Sequence, residues 1–183
     1  AAYGALAASR TQVVELTKNE AGAVDGAVVV DLETGSEIRI RARAVINSTG
    51  VWTEQTESLS GTEGGLRVLA SKGIHIVVPR DRIRGDVGLI LQTEKSVLFF
   101  IPWSRYWLIG TTDTPWTQEL AHPVATSADI EYVLEHANTV LARPLTRDDI
   151  IGTWAGLRPL LQPGTKAGTS SAKISREHTT ASP

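Results

Sequence analysis

His75 is the first side chain whose chemistry and setting suggest a reaction. It lies in Ile74-His75-Ile76-Val77-Val78-Pro79. An imidazole titrates near neutrality, so it suits the removal of a proton from a bound hydroxyl. Side chains alternate along a strand, so His75 points with Val77 and away from Ile74, Ile76 and Val78. One reading is a general base on a sheet floor. The other is a histidine satisfied by a backbone carbonyl, and spacing alone does not raise the first above the second. Arg158 sits in Ala155-Gly156-Leu157-Arg158-Pro159, where Gly and Pro fix a bend. Its planar fork matches a phosphate or carboxylate in two-point contact. A solvated loop arginine is the plain alternative. Arg176 and His178 alternate onto one face of Ile174-Ser175-Arg176-Glu177-His178, as a second anion contact or as a solvated tail. Gly110-Thr111-Thr112-Asp113-Thr114 follows an apolar strand and reads as a hydroxyl-capped turn or a polar ligand contact. Trp103, Tyr106, Trp107 and Trp116 could wall a flat ring or pack a core. Asn47-Ser48-Thr49-Gly50 ends a short apolar segment in small residues, which lets backbone approach a cofactor. Arg80, Arg82 and Arg84, diluted by Asp81 and Asp86, read as a solvated loop.

Several chemistries have no residues to carry them. With no cysteine there is no disulfide, thiolate metal site or cysteine nucleophile. His122 and His136 lack partners at metal spacing. There is no Walker loop, nucleophile elbow or G-x-G-x-x-G fingerprint. The net charge of -2 gives no argument for nucleic acid or an anionic membrane. No apolar run is long enough to span a bilayer. The chain does not begin with Met, and the expectation is an excised or processed piece.

The elements that must position these residues are mainly strands. Ala27 to Leu32 and Glu37 to Ala42 flank the turn Glu33-Thr34-Gly35-Ser36. In the second strand Ile38 and Ile40 alternate with Arg39 and Arg41, which predicts one buried face. Residues 44–46 read as a short buried strand, followed by a helix start near Trp52 to Gln55. Polar, glycine-rich residues 58–65 mark a boundary. Strands then follow at Ile74 to Val78, Val87 to Leu91, Val97 to Ile101 and Tyr106 to Ile109, spaced as an antiparallel meander. Thr126 and Asp129 form a helix-start signature ahead of Ile130, Val133, Leu134, Ala137, Val140 and Leu141 on one face, so a helix is predicted over about 126–142. Residues 150–155 read as a strand, and the chain beyond Gly156 reads as loop.

Taken in order, the segments resemble the FAD-dependent glycerol-3-phosphate dehydrogenases. Residues 44–52 are similar to that family's strand and Asn-Ala-Thr-Gly-Pro-Trp, with Ser48 in place of Ala and Val51 in place of Pro. Lys72-Gly73-Ile74-His75, Pro102-Trp103, Gly110-Thr111-Thr112-Asp113, Arg147-Asp148-Asp149-Ile150, Gly156-Leu157-Arg158-Pro159-Leu160 and Ser175-Arg176-Glu177-His178 resemble its later elements. The resemblance runs from about Gly26 to His178.

What the resemblance implies is specific. The fold would be an α+β or α/β fragment of a two-domain FAD-dependent oxidoreductase. It would be mainly an antiparallel or mixed sheet with one amphipathic helix, plus a β-rich piece of the flavin domain. Residues 1–57 would belong to the FAD-binding domain, 58–155 to the substrate-binding domain, and 156–183 to a truncated return toward the FAD domain. The parent would oxidise sn-glycerol 3-phosphate to dihydroxyacetone phosphate, passing a hydride to FAD and electrons to quinone. His75 would be the base, Arg158 and Arg176 would hold the phosphate, and Ser48, Thr49, Gly50 and Trp52 would meet the flavin. The parent would be cytoplasmic or peripheral on the cytoplasmic face of the membrane, touching it through parts outside this chain, and a homodimer is compatible with this. The fragment alone is expected to be inactive and to hold FAD weakly or not at all. A glycerol-phosphate oxidase, an amine or amino-acid oxidase, and a non-catalytic β-rich binding module remain as alternatives.

Overall fold

The computed structural model describes residues 3–61, 66–94 and 96–163. They fall into two compact units, one within residues 1–65 and one within 66–182. Antiparallel strands dominate both, and among the described residues the larger unit carries one amphipathic helix, as the sequence predicts.

The first unit is a three-stranded antiparallel sheet in the order β1-β2-β3, with β1 at Thr11–Lys18, β2 at Val24–Asp31 and β3 at Glu37–Arg41. The β2–β3 turn closes on Asp31, whose carboxylate accepts from Glu33 N at 2.9 Å and Thr34 Oγ1 at 2.8 Å. Gly35 supplies the left-handed residue at φ +73°. Ala27, Val28 and Val29 are buried, but β3 is exposed on both faces, Ile38 and Ile40 included. The expected buried face therefore does not form. Alternation sets which residues share a face, but burial also needs a second layer, and none covers β3 among the described residues.

Residues 44–46 are not a strand either. They pair with no described strand and are exposed, Ile46 at 85%. A continuous apolar strand of this kind needs neighbours on both sides to satisfy its backbone. A short helix, α1 (Thr53–Ser58), follows a 3-10 turn at Gly50–Trp52.

The second unit is built on one long strand, β4 (Leu66–Pro79). Beside it lie β5 (Leu89–Gln92), β6 (Val97–Trp103), β7 (Tyr106–Gly110) and β8 (Thr114–Pro115), in the order β5-β6-β7-β4-β8. The expected loop beyond Gly156 is instead the second half of β9 (Gly152–Pro163), which pairs antiparallel with β4 from Gly152↔Val77 to Pro163↔Leu66. Gly156 and Pro159 hid this strand, because both weaken the strand signal.

The helix α2 (Ser127–Asn138) lies on one sheet face. Its start is the predicted capping box. Asp129 N donates to Thr126 Oγ1, and the Asp129 carboxylate accepts from Thr126 N. Val133, Leu134 and Ala137 bury against Ile74, Ile76, Val78, Leu98, Phe100, Trp107 and Ile109. Each large apolar side chain removed from water here contributes about 1.5–3 kcal/mol. Lys72 belongs to this covered face and meets Asp129 Oδ2 at 2.5 Å, with both side chains almost wholly buried. Arg80 and Arg82, expected to be solvated, are anchored. Arg80 lies 4.3 Å over the Trp107 ring, and Arg82 pairs with Asp149 at 2.7 Å.

Candidate functional site

The opposite face of the larger sheet has no helix against it among the described residues. Strand register sets what it presents. One rung crosses the sheet as Ile90, Phe99, Gly110, His75 and Trp154. The next rungs along β4 and β9 are Gly73 with Gly156, then Ser71 with Arg158. Ile74, Ile76 and Val78 are fully buried on the helix side, so His75, Trp154, Gly156 and Arg158 share the other.

Two glycines make this arrangement possible. A methyl group at Gly110 would collide with the His75 ring and with Ile74 O, so the imidazole occupies space that β7 leaves vacant. A methyl group at Gly73 would collide with both terminal nitrogens of Arg158 and with Thr111 Oγ1. The guanidinium therefore lies over Gly73, one rung from His75. Successive residues on one strand face are about 7 Å apart, so the imidazole and guanidinium flank a space suited to a short ligand. Trp154 stacks on His75 with ring centroids 5.0 Å apart and an angle of 13°.

The loop after β7 fixes the guanidinium. Arg158 Nη2 donates to Thr111 Oγ1 at 2.8 Å, and Nη1 donates to Thr112 O at 3.2 Å. Asp113 Oδ1 lies 3.8 Å from Nη1 and accepts a hydrogen bond from Ser71 Oγ. The Asp113 side chain is 2% exposed and that of Arg158 is 27% exposed. A nearly buried carboxylate thus sits behind a guanidinium that still reaches the surface. The Gly110–Asp113 segment is therefore a brace for Arg158 through its own side chains and carbonyls. Burial pulls the His75 imidazole below its ordinary value of 6.5, and the nearby Arg158 charge pulls it in the same direction. Both effects favour the neutral ring, the form a general base needs.

In the first unit, residues 47–50 form a compact turn. Asn47 Oδ1 accepts from Thr49 N at 3.2 Å and from Thr49 Oγ1 at 2.7 Å, while Asn47 Nδ2 donates to Thr53 O at 3.1 Å. Gly50 follows at φ +61°, a conformation that favours glycine. Ser48, Thr49 and Trp52 are exposed, with Trp52 42% accessible. Arg176 and His178 lie outside the described residues. Trp103 is exposed, while Trp107 packs the core and Trp116 lies over the Lys72 ammonium. The aromatic set is thus divided among three places and forms no single wall.

The sequence singles out His75 and Arg158, with Gly156 beside Arg158, but not Trp154, Gly73 or Gly110 as their surroundings. Glycine inside a strand is the signal that could have found them, since it marks a close approach. No cluster of three or more potential metal ligands occurs among the described residues. Nor is any described helix long and apolar enough to cross a membrane.

Comparisons with known proteins identify the family. A family model described as FAD dependent oxidoreductase matches residues 1–176. The chain is 53% identical to glycerol-3-phosphate dehydrogenase of Mycobacterium leprae, over 99% of this chain and 30% of that protein. It is 35% identical to the human mitochondrial glycerol-3-phosphate dehydrogenase, over 97% of this chain and 25% of the relative. The chain thus spans less than a third of the length of these curated relatives. A solved structure of the Bacillus halodurans glycerol-3-phosphate dehydrogenase complexed with FAD superposes with a TM-score of 0.81 at 33% identity, covering 88% of this chain and 33% of that one. Glycine oxidase from Bacillus cereus shares the fold at a TM-score of 0.59 and 21% identity, covering 82% of this chain and 38% of that one. With a family match across residues 1–176, this chain belongs to the FAD dependent oxidoreductase family.

Proposed function

We propose that this chain is a section of a longer FAD-dependent glycerol-3-phosphate dehydrogenase and contributes much of its substrate site. The observation that carries this reading is the placement of the His75 ring and the Arg158 guanidinium on adjacent rungs of one open sheet face. Residues 1–57 would sit with the flavin-binding part and 58–155 with the substrate part, and residues 156–183 would lead back toward the flavin.

The residues present fit part of a flavin site. Phe99, Ile101 and Trp154 expose apolar surface on the face that carries His75, which a flat ring could cover. In the first unit, taken by itself, Asn47 holds a tight turn at Ser48, Thr49 and Gly50, where backbone could approach a cofactor. No glycine-rich phosphate-binding turn of the G-x-G-x-x-G kind occurs in the chain. When bound, FAD supplies the acceptor for a hydride.

The chain's own residues account for the remaining chemistry. Arg158, braced by Thr111, Thr112 and Asp113, would hold the phosphate of sn-glycerol 3-phosphate by charge-assisted hydrogen bonds. Arg176 would add a second contact. His75, kept neutral by burial and by the Arg158 charge, would take the proton from the secondary hydroxyl at Nδ1 or Nε2 as the hydride leaves the same carbon. The product would be dihydroxyacetone phosphate. Electrons would pass to quinone, in an enzyme that is cytoplasmic or attached to the cytoplasmic membrane face through parts outside this chain, as a homodimer.

The test is anaerobic flavin reduction in the full-length, FAD-loaded protein. Glycerol 3-phosphate should bleach the flavin, and amino acids and primary amines should not. Reduction by an amino acid alone would replace this reading with that of an amino-acid oxidase.

A further inference from the structure

Gly156 lies in the middle of β9, between Trp154 and Arg158 on the open face, and neither backbone nor packing explains it. Its φ is outside the left-handed region, so L residues could adopt its conformation. An added methyl group would meet no atom within 4 Å among the described residues. By contrast, Gly73 and Gly110 are required by the Arg158 guanidinium and the His75 ring. Glycine inside a strand weakens it, and where no bend or bulge is present it marks close approach by another group. The register is continuous through Gly73↔Gly156, so there is no bulge here.

We infer that Gly156 is a specificity-determining residue: the hollow it leaves between the Trp154 indole and the Arg158 guanidinium receives the carbon chain of the phosphoester. This rests on the proposed substrate and adds where that substrate lies. With the phosphate on Arg158, whose guanidinium already covers Gly73, the chain runs over bare backbone at Gly156 toward His75. The indole of Trp154 closes the far side. A side chain at position 156 would fill the path without disturbing the sheet.

The experiment uses the full-length, FAD-loaded protein carrying Gly156→Ala, Gly156→Val or the control Gly152→Ala. Gly152 lies on the same strand and face, where a methyl group meets only Val77 at ordinary contact distance, 3.6 Å. Glycerol 3-phosphate affinity is read by calorimetric titration, alongside flavin content and melting temperature. Gly156→Val should weaken binding at least about tenfold and Gly156→Ala less. Flavin content should match wild type, and Gly152→Ala should bind normally. Gly156→Ala should melt no lower than wild type, since alanine suits a strand better than glycine, so it reports even if the valine variant misfolds. Unchanged affinity in both Gly156 variants overturns the inference. So does loss of flavin from the folded variants, which would put the flavin ring, not the substrate, in the hollow. A wild-type protein that does not bind glycerol 3-phosphate at all overturns the proposed function instead.

Discussion

His75 and Arg158 are two charges-in-waiting whose behaviour depends on each other. Burial and the Arg158 guanidinium both lower the imidazole's proton affinity. The neutral ring therefore persists below pH 6.5, and the acid limb of kcat/KM should lie below that value. Arg158→Ala removes one of the two causes, so the limb should move up toward 6.5 while the Michaelis constant rises. A pH–rate profile of the two proteins checks both. His75→Gln should lower kcat about 10²–10⁴-fold, with flavin content unchanged. Gly110→Ala should cost stability as well as activity, because its methyl group collides with the imidazole and with Ile74 O. A lowered melting temperature together with a lowered kcat is expected, and an unaltered protein would contradict the packing described. At this scale the sequence was informative about ionisable residues and silent about bare ones. His75 and Arg158 carry recognisable chemistry, whereas Gly73 and Gly110 matter through the side chains they lack.

At the scale of elements, β4 carries the candidate base on one face and an anchoring ion pair on the other. Lys72 and His75 are three residues apart and point opposite ways. His75 faces the open side, and Lys72 reaches Asp129 at the start of α2. Burial alone would raise the Asp129 carboxyl, but hydrogen bonds from Lys72 and Thr126 and the Lys72 charge outweigh it and hold the group below its ordinary 3.8. A depressed carboxyl stabilises the fold fully above its unfolded value, and that contribution is lost as pH falls through the lower folded value. The pair should therefore hold at neutral pH and release only below about pH 3.8. Lys72→Met leaves a buried carboxylate without its ion partner and should cost about 3–5 kcal/mol, read as a shift in urea midpoint. The double change Lys72→Met with Asp129→Leu should recover much of the loss. The helix was legible because Thr126 and Asp129 mark its start and its apolar positions keep the helical period. The second half of β9 was not, because Gly156 and Pro159 mimic loop punctuation while β4 supplies backbone partners 83 to 97 positions earlier, from Gly73 for Gly156 to Leu66 for Pro163. Residues 44–46 failed in the opposite way. Their apolar run reads as a strand, but a strand exists only with a partner, and none is present among the described residues.

For the whole molecule, the chain carries a three-stranded sheet and a larger sheet, and spans about 30% of its Mycobacterium leprae relative. Because the chain has no glycine-rich turn for the flavin phosphates, the isolated 183 residues should not retain stoichiometric FAD through gel filtration. An absorbance spectrum of the purified chain checks this. Family membership was readable from the ordered set of short motifs, because each keeps its place along the chain even where single residues differ, as at Ser48 and Val51. The convergence of His75, Gly110–Asp113 and Arg158 was not readable, since it depends on strand register between β4, β7 and β9. Arg158 is proposed to hold the substrate phosphate beside His75. The most direct test of this role is equilibrium binding of glycerol 3-phosphate to the full-length flavoprotein, wild type against Arg158→Ala. Loss of a charge-assisted contact of about 1.5–3 kcal/mol should weaken binding roughly 10- to 150-fold, with flavin content preserved. Equal affinity in the two proteins would contradict it.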